Sequence, residues 1–167
     1  MITGLSVENT QTGTLNDIRI IPDSNQLGAT TNYDVYFTIQ NSVPLGGYVD
    51  IYFPYSLYGA ISTYQCQAIK NLDSGLYCKL DFSTRNTLML INSINTTEIN
   101  KGQEIAFKIV GVNNPSVAST LASERFKIRT VSPSGFTIDE SQNLNFTFGC
   151  QYPCLSCSGG FEKCISC

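Results

Sequence analysis

Apolar residues return at every second position in run after run of this chain. Tyr33, Val35, Phe37 and Ile39 alternate with Asp34, Tyr36 and Thr38. Val49, Ile51 and Phe53 repeat the pattern after a Pro44-Leu-Gly-Gly47 turn. Leu88 and Leu90, then Ile105, Phe107 and Ile109, then Phe126 and Ile128, then Leu144, Phe146 and Phe148 follow it too. A strand turns successive side chains to opposite faces, so such alternation predicts one buried and one solvated face. Turn residues part the runs at intervals of roughly 8–20, which fits an antiparallel sandwich better than alternating strands and helices. Only residues 116–124 leave room for a short helix, and a structured loop suits them equally.

The last eighteen residues read differently. Five of the seven cysteines lie there, at C-x3-C-x2-C-x6-C-x2-C spacing: Cys150, Cys154, Cys157, Cys164 and Cys167. So short a segment buries no core of its own and must be stapled. Two CxxC pairs can also hold zinc through four thiolates. Zinc ribbons have longer loops between their pairs, Cys150 would be left over, and the chain has no His for a mixed site. Disulfides are therefore expected, and with them an oxidising compartment. Cys66 and Cys78, twelve residues apart in strand-like sequence, are expected to pair. The five tail cysteines are then an odd number, which implies an intermolecular bond or a partner further on. The chain stops at Cys167 inside the pattern, so a piece of a longer protein is expected. Met1 is not followed by a charged and then apolar leader, and no apolar run reaches the ~18 residues of a membrane span.

The tail resembles the furin-like cysteine-rich repeat, C-x3-C-x2-C-S-G-x(n)-C-x2-C, at all five cysteines and at Ser158-Gly159. That resemblance implies Cys150–Cys157 and Cys154–Cys164 bridges, with Cys167 pairing beyond. The preceding segment, more loosely, is similar to a domain of large protist, ciliate-like, extracellular surface proteins. The matching stretches are Gly28-Ala-Thr-Thr-Asn-Tyr33, Val43-Pro-Leu-Gly-Gly-Tyr-Val-Asp-Ile-Tyr-Phe-Pro54, Val110-Gly-Val-Asn-Asn-Pro115 and Phe126-Lys-Ile-Arg-Thr130. Those proteins join such sandwiches to furin-like repeats, which implies an adhesive or scaffolding architecture and no chemistry. The expected organisation is an N-terminal strand and linker over 1–14, an Ig-like antiparallel β-sandwich over 15–149, and a small disulfide-rich module over 150–167.

Composition sets the function classes. Charged residues are 14%, against roughly 25% in an average domain, and the net charge is −3 with no basic run. Nucleic-acid binding needs a clustered Lys/Arg footprint, so it is not expected. A surface poor in charge is kept soluble by glycans or packs against copies of itself. Two N-glycosylation sequons are present, Asn95-Thr-Thr and Asn145-Phe-Thr. Asn95 falls in a polar stretch between strands, and alternation puts Asn145 on an outward face; the plainer use of both is polar surface. With no His, the Ser-His-Asp and Cys-His arrangements and His-ligated zinc are absent. No nucleophile elbow or phosphate-cradling glycine loop occurs either. Asp50 and Asp81 alternate outward and are expected at the surface, and Asp139 and Glu140 are adjacent and so point oppositely. No enzyme is expected, and no cofactor.

Three further groups are candidates. Asp17, Asp23 and Asn25 lie close in sequence and could offer oxygens to calcium, but they miss the spaced acidic loop pattern, and turn or solvent roles suit them better. Tyr52, Tyr55, Tyr58 and Tyr64 cluster, and aromatics with a polar tip suit sugar faces and wet interfaces. Ordinary hairpin packing is the plainer use. Ile2, Leu5 and Val7 form a short apolar segment ahead of a polar linker over 8–14 and a strand over 15–21. It either completes its own sandwich or adds as a strand to a neighbour. A head-to-tail exchange does not close, so it builds a filament. The expected function is that of a non-catalytic extracellular structural glycoprotein, self-associating at a cell surface. The alternative is an adhesin-like domain that recognises a carbohydrate or a partner protein.

Overall fold

The computed structural model of the chain describes residues 11–24, 26–52, 65–81, 87–114, 125–142, 144–145, 156–157 and 164–166. The described elements are strands in chain order: β1 (Gly13–Thr14), β2 (Asn16–Pro22), β3 (Thr30–Thr38), β4 (Tyr48–Tyr52), β5 (Gln65–Lys70), β6 (Tyr77–Asp81), β7 (Thr87–Ile91), β8 (Glu104–Asn113), β9 (Arg125–Val131), β10 (Thr137–Glu140), β11 (Leu144–Asn145), β12 (Ser156–Cys157) and β13 (Cys164–Ser166). They form an all-β sandwich. One sheet runs β1-β10-β9-β4-β7-β6, with β11 also on β9; the other runs β2-β3-β8-β5. β12 and β13 form a separate antiparallel pair.

The alternating runs make the core. Tyr33, Val35 and Phe37 from β3 and Ile105, Phe107 and Ile109 from β8 meet Val49, Ile51, Leu88, Leu90, Phe126 and Ile128 from the opposite sheet. All twelve are fully buried. Burying a side chain of this size stabilises by about 1.5–3 kcal/mol, which is why register is strongly set here: a one-residue slip would expose the whole row. The rings of Tyr33 and Phe126 meet across the layers with centroids 6.2 Å apart. Tyr33 is buried to its hydroxyl, which donates to Asn114 Oδ1 at 2.5 Å. Asn114 Nδ2 in turn donates to the carbonyls of Ser24 and Gln26, so one buried amide ties the core to the β2–β3 loop.

Glycines make the β3–β4 turn. Gly46 has φ +79°, a conformation side chains with a Cβ rarely adopt, and its N–H donates to Ile94 O at 2.7 Å. A Cβ on Gly47 would meet the side chain of Val43 at 2.7 Å and the Val131 carbonyl at 2.9 Å. The two glycines therefore let three loops close on one end of the sandwich.

That end is one of two poles. Asn16, Thr38 and Glu104 lie side by side there, as do Tyr48 and Val131, so β2, β4, β8 and β10 begin at it. β10 and β11 run along β9 as two halves of one strand, from Val131 back to Arg125. The described chain enters at the first pole through Gln11 and Thr12 and runs out along β11 toward the second. The expected linker over 1–14 gains a structured end: Gly13 and Thr14 pair in parallel with Asp139 and Glu140. Leu15 is buried, and the chain crosses to the other sheet as β2. The expected runs at Phe53, Phe146 and Phe148 and the segment 116–124 lie outside the described residues.

Candidate assembly surfaces

The two cysteines expected to pair do so. Cys66 and Cys78 form a disulfide with their Cα atoms 5.4 Å apart, within the usual span. Cys66 is on β5, the edge of one sheet, and Cys78 on β6, the edge of the other. The bridge therefore seals the sandwich along one flank. The crossing from β1 to β2 joins the sheets along the other. Of the tail cysteines, Cys157 on β12 lies directly opposite Cys164 on β13. Cys150, Cys154 and Cys167 lie outside the described residues.

The sheet edges are not alike. β2 carries a register shift between Asn16 and Arg19, has Asp17 at φ +49°, and ends in Pro22. β5 shifts register between Ala68 and Lys70. Such bulges and prolines blunt an edge against further strands. β1 covers β10 at Asp139 and Glu140 only. β6 keeps step with β7 through all five of its residues, from Tyr77 opposite Ile91 to Asp81 opposite Thr87. Tyr77 is 50% exposed, and Ile69, on the strand bridged to it, is 46% exposed.

At the entry pole a groove of about 890 Å³ opens between Gln11–Thr12 and residues 136–138, with Asn41, Pro44 and Lys101 on its other walls. Phe136 stands 74% exposed on its rim, and Leu45 is exposed in the neighbouring turn. Beside the groove, Asp139 is fully buried. Its carboxylate accepts from the backbone N–H groups of Gln40 and Asn41 at 2.9 and 3.0 Å and from Asn41 Nδ2 at 2.7 Å. Asp139 belongs to one sheet and residues 40–41 continue β3 of the other, so this carboxylate latches the layers together. Glu140, next along the strand, turns to the outer face and pairs with Lys127 at 2.8 Å, as adjacency on a strand requires.

Asn95 is exposed in the β7–β8 loop. Its loop is pinned by Asp73, whose carboxylate accepts from the N–H groups of Asn95 and Thr96 and from the Thr96 hydroxyl. The Thr96 hydroxyl foremost, with those N–H groups, holds the Asp73 carboxyl below its ordinary range, against a smaller opposing effect of burial. A small polar cleft of about 290 Å³, lined in part by Asp73, Thr96, Glu98 and Asn100, lies alongside. The second sequon is placed by register alone: Asn145 is opposite Arg125, next to the pair Leu144 and Phe126 whose face is the core.

Asp50 corrects an expectation. It does alternate out of the core, but it is 2% exposed rather than a surface residue. Arg129, opposite it on β9, donates to its carboxylate at 2.5 Å and stacks its guanidinium 4.8 Å over the Tyr52 ring. Tyr48 completes the cluster; burial first, then the Asp50 carboxylate, raises its phenol above the ordinary value. Alternation assigns a face, and here the neighbours on that face cover it. Tyr52 is thus half-buried under an arginine, and Tyr55, Tyr58 and Tyr64 lie outside the described residues, as do Ile2, Leu5 and Val7. The calcium candidates are not brought together. Asp17 is near the start of β2 and Asp23 just past its end, six residues on and roughly 20 Å in a strand, and Asp23 accepts from Asn32 Nδ2 at 2.8 Å. Asn25 lies outside the described residues.

Sequence reasoning missed the Asp139 latch, the Asn114 anchor and Phe136. Only Asn114 carried a signal, inside the stretch ending at Pro115. Comparison of the chain with protein-family models and with curated proteins gives no match. No helix among the described residues is long and apolar enough to cross a membrane.

Proposed function

We propose that this chain is a non-catalytic extracellular structural glycoprotein that assembles with copies of itself into a surface filament or matrix. The observation that carries the reading is the Cys66–Cys78 bridge between the two sheet edges. A structural disulfide placed to seal a sandwich belongs in an oxidising compartment. Five further cysteines in eighteen residues and two sequons point the same way. The Ig-like assignment rests on topology: β2-β3-β8-β5 faces β10-β9-β4-β7-β6, with β1 parallel to β10 at the edge of the larger sheet. Two departures stand against that frame: β6 and β7 follow β5 in the chain, and the disulfide lies at the flank rather than through the core. The furin-like module over 150–167 and the strand exchange by residues 2–7 belong to the same proposal.

The test is electron microscopy of native material without reducing agent, with non-reducing mass spectrometry on the same sample. Fibres repeating at about one domain length, with hexose mass on Asn95 or Asn145 peptides, are expected. A dispersed monomer with every cysteine paired internally would sink the reading.

One observation favours a second reading, an adhesin-like domain. The entry-pole groove sets an exposed Phe136 ring among the hydroxyls and amides of Thr12, Asn41, Ser42 and Ser132. An aromatic face with polar neighbours suits a sugar. A saturable glycan-array signal abolished by Phe136→Ala would move the weight to it.

A further inference from the structure

We propose that β6 is the edge through which a second copy of this chain attaches, with that copy's residues 2–7 adding as a strand alongside Tyr77–Asp81. The inference rests on the strand-exchange reading above and names its acceptor.

The acceptor follows from comparing the edges. A strand adds to an edge whose N–H and C=O groups are evenly presented. β2 and β5 are interrupted by register shifts, and β1 already covers half of β10. β6 is regular over all five of its residues, whereas β1 and β11, though regular, are two residues each. Its alternation turns Cys78 and Leu80 to the core side and Tyr77 and Lys79 outward, so no described charge points inward from it. The disulfide holds it to β5, so the edge is presented in one conformation and little ordering remains to be done on binding. Tyr77, one of the five large apolar side chains exposed among the described residues, lies on β6 and would be covered.

The donor follows from distance. The described chain enters at the β1 end of the larger sheet, and β6 is the other end. Five strand spacings separate them, roughly 24 Å at about 4.8 Å each. From Gly13 back to Val7 is six residues, at most about 21 Å fully extended. Val7 of the same molecule therefore does not reach its own β6, so residues 2–7 as a whole strand do not lie along it, whereas those of a neighbour placed beside it do. Ile2, Leu5 and Val7 supply the apolar side chains. Donor and acceptor sit at opposite ends of one sheet, so each addition continues the sheet into the next copy and leaves a fresh β6 exposed. Such a contact is heterologous and open.

The experiment is hydrogen–deuterium exchange on the full chain across a concentration series, with sedimentation to follow association. Protection of residues 77–81 and 2–7 is expected to rise together as the protein associates. Tyr77→Glu, at an exposed site, is expected to weaken association at least tenfold while leaving the urea midpoint unchanged, and Val7→Asp should do the same. Phe136→Ser, at the pole, should leave association within twofold. Association that adds no protection at 77–81, or that tolerates Tyr77→Glu, would overturn the β6 assignment and leave assembly to another surface. No association at any concentration would overturn both the assignment and the filament reading.

Discussion

A single carboxylate does more for this fold than its place in the sequence announces. Asp139 is fully buried with three N–H donors from residues 40 and 41. Gly13 makes room for it, because a Cβ there would collide with both the Asp139 carboxylate and the Asn41 amide. Asp139→Ala leaves those donors without their acceptor and is expected to cost about 3 kcal/mol. Gly13→Ala is expected to cost about 2 kcal/mol through overpacking. Because both act on one latch, the double variant should cost clearly less than the sum. Urea denaturation of the three variants measures this, and strict additivity would show that the glycine and the carboxylate are independent. Period-two alternation made the core side chains legible, since Tyr33, Val35, Phe37, Ile105, Phe107 and Ile109 are all where the pattern puts them. It could not foresee Asp139 or Asp50. Alternation reports which side of a sheet a residue takes, and the latch and the Arg129 cover are made by residues 98 and 79 positions away.

Among elements, the weakest signals belonged to the shortest. β1 has two residues, Gly and Thr, and no apolar rhythm, and it forms because Leu15 next to it is buried and Asp139 receives Gly13 closely. The pairing of Cys66 with Cys78 was legible by arithmetic, since the other five cysteines keep their own spacing. That the bridge would join two edges was not, because edge order is a property of the sheets and not of any one strand. The bridge closes a loop of twelve residues, which in the chain-entropy view is worth about 3 kcal/mol. Replacing both cysteines with serine is expected to lower stability by about that amount while the β3–β8 ladder stays formed. The loss should be local first: amides of β5 and β6 should exchange faster than those of β3 and β8, because the bridged strands are edges. Uniform acceleration across both sheets would mean that the bridge supports the whole core and not the flank.

For the whole molecule, sparse charge makes the response to pH simple to state. The chain has no His, the side chain that ordinarily titrates between pH 5 and 8, so stability is expected to be level across that range. Below it, Asp73 and Glu104 set the direction. The Thr96 hydroxyl and then loop N–H groups hold the Asp73 carboxyl low, and Lys70 and then Arg19 hold that of Glu104 low. A carboxyl whose folded pKa is depressed adds stability that is present above the unfolded value, about 3.9–4.3, and is lost as pH falls through the lower folded value. At the alkaline side the sign reverses. Burial holds the Tyr33 phenol well above its ordinary value, so its contribution is whole below about pH 10 and is lost as pH rises toward the folded pKa. Urea midpoints collected from pH 2 to 11 should therefore trace a plateau with two falling limbs. Asp73→Asn with Glu104→Gln should flatten the acid limb and leave the alkaline one, and Tyr33→Phe should shrink the alkaline limb, to which the raised Tyr48 and Lys108 also contribute, and leave the acid one. Glu104 is half-buried but its partners Arg19 and Lys70 are exposed, so its share of the acid limb should shrink in salt, whereas the Asp73 share, made by hydrogen bonds between two loops, should persist. A step in stability between pH 5.5 and 7.5 would contradict this account, because no histidine is present to supply it.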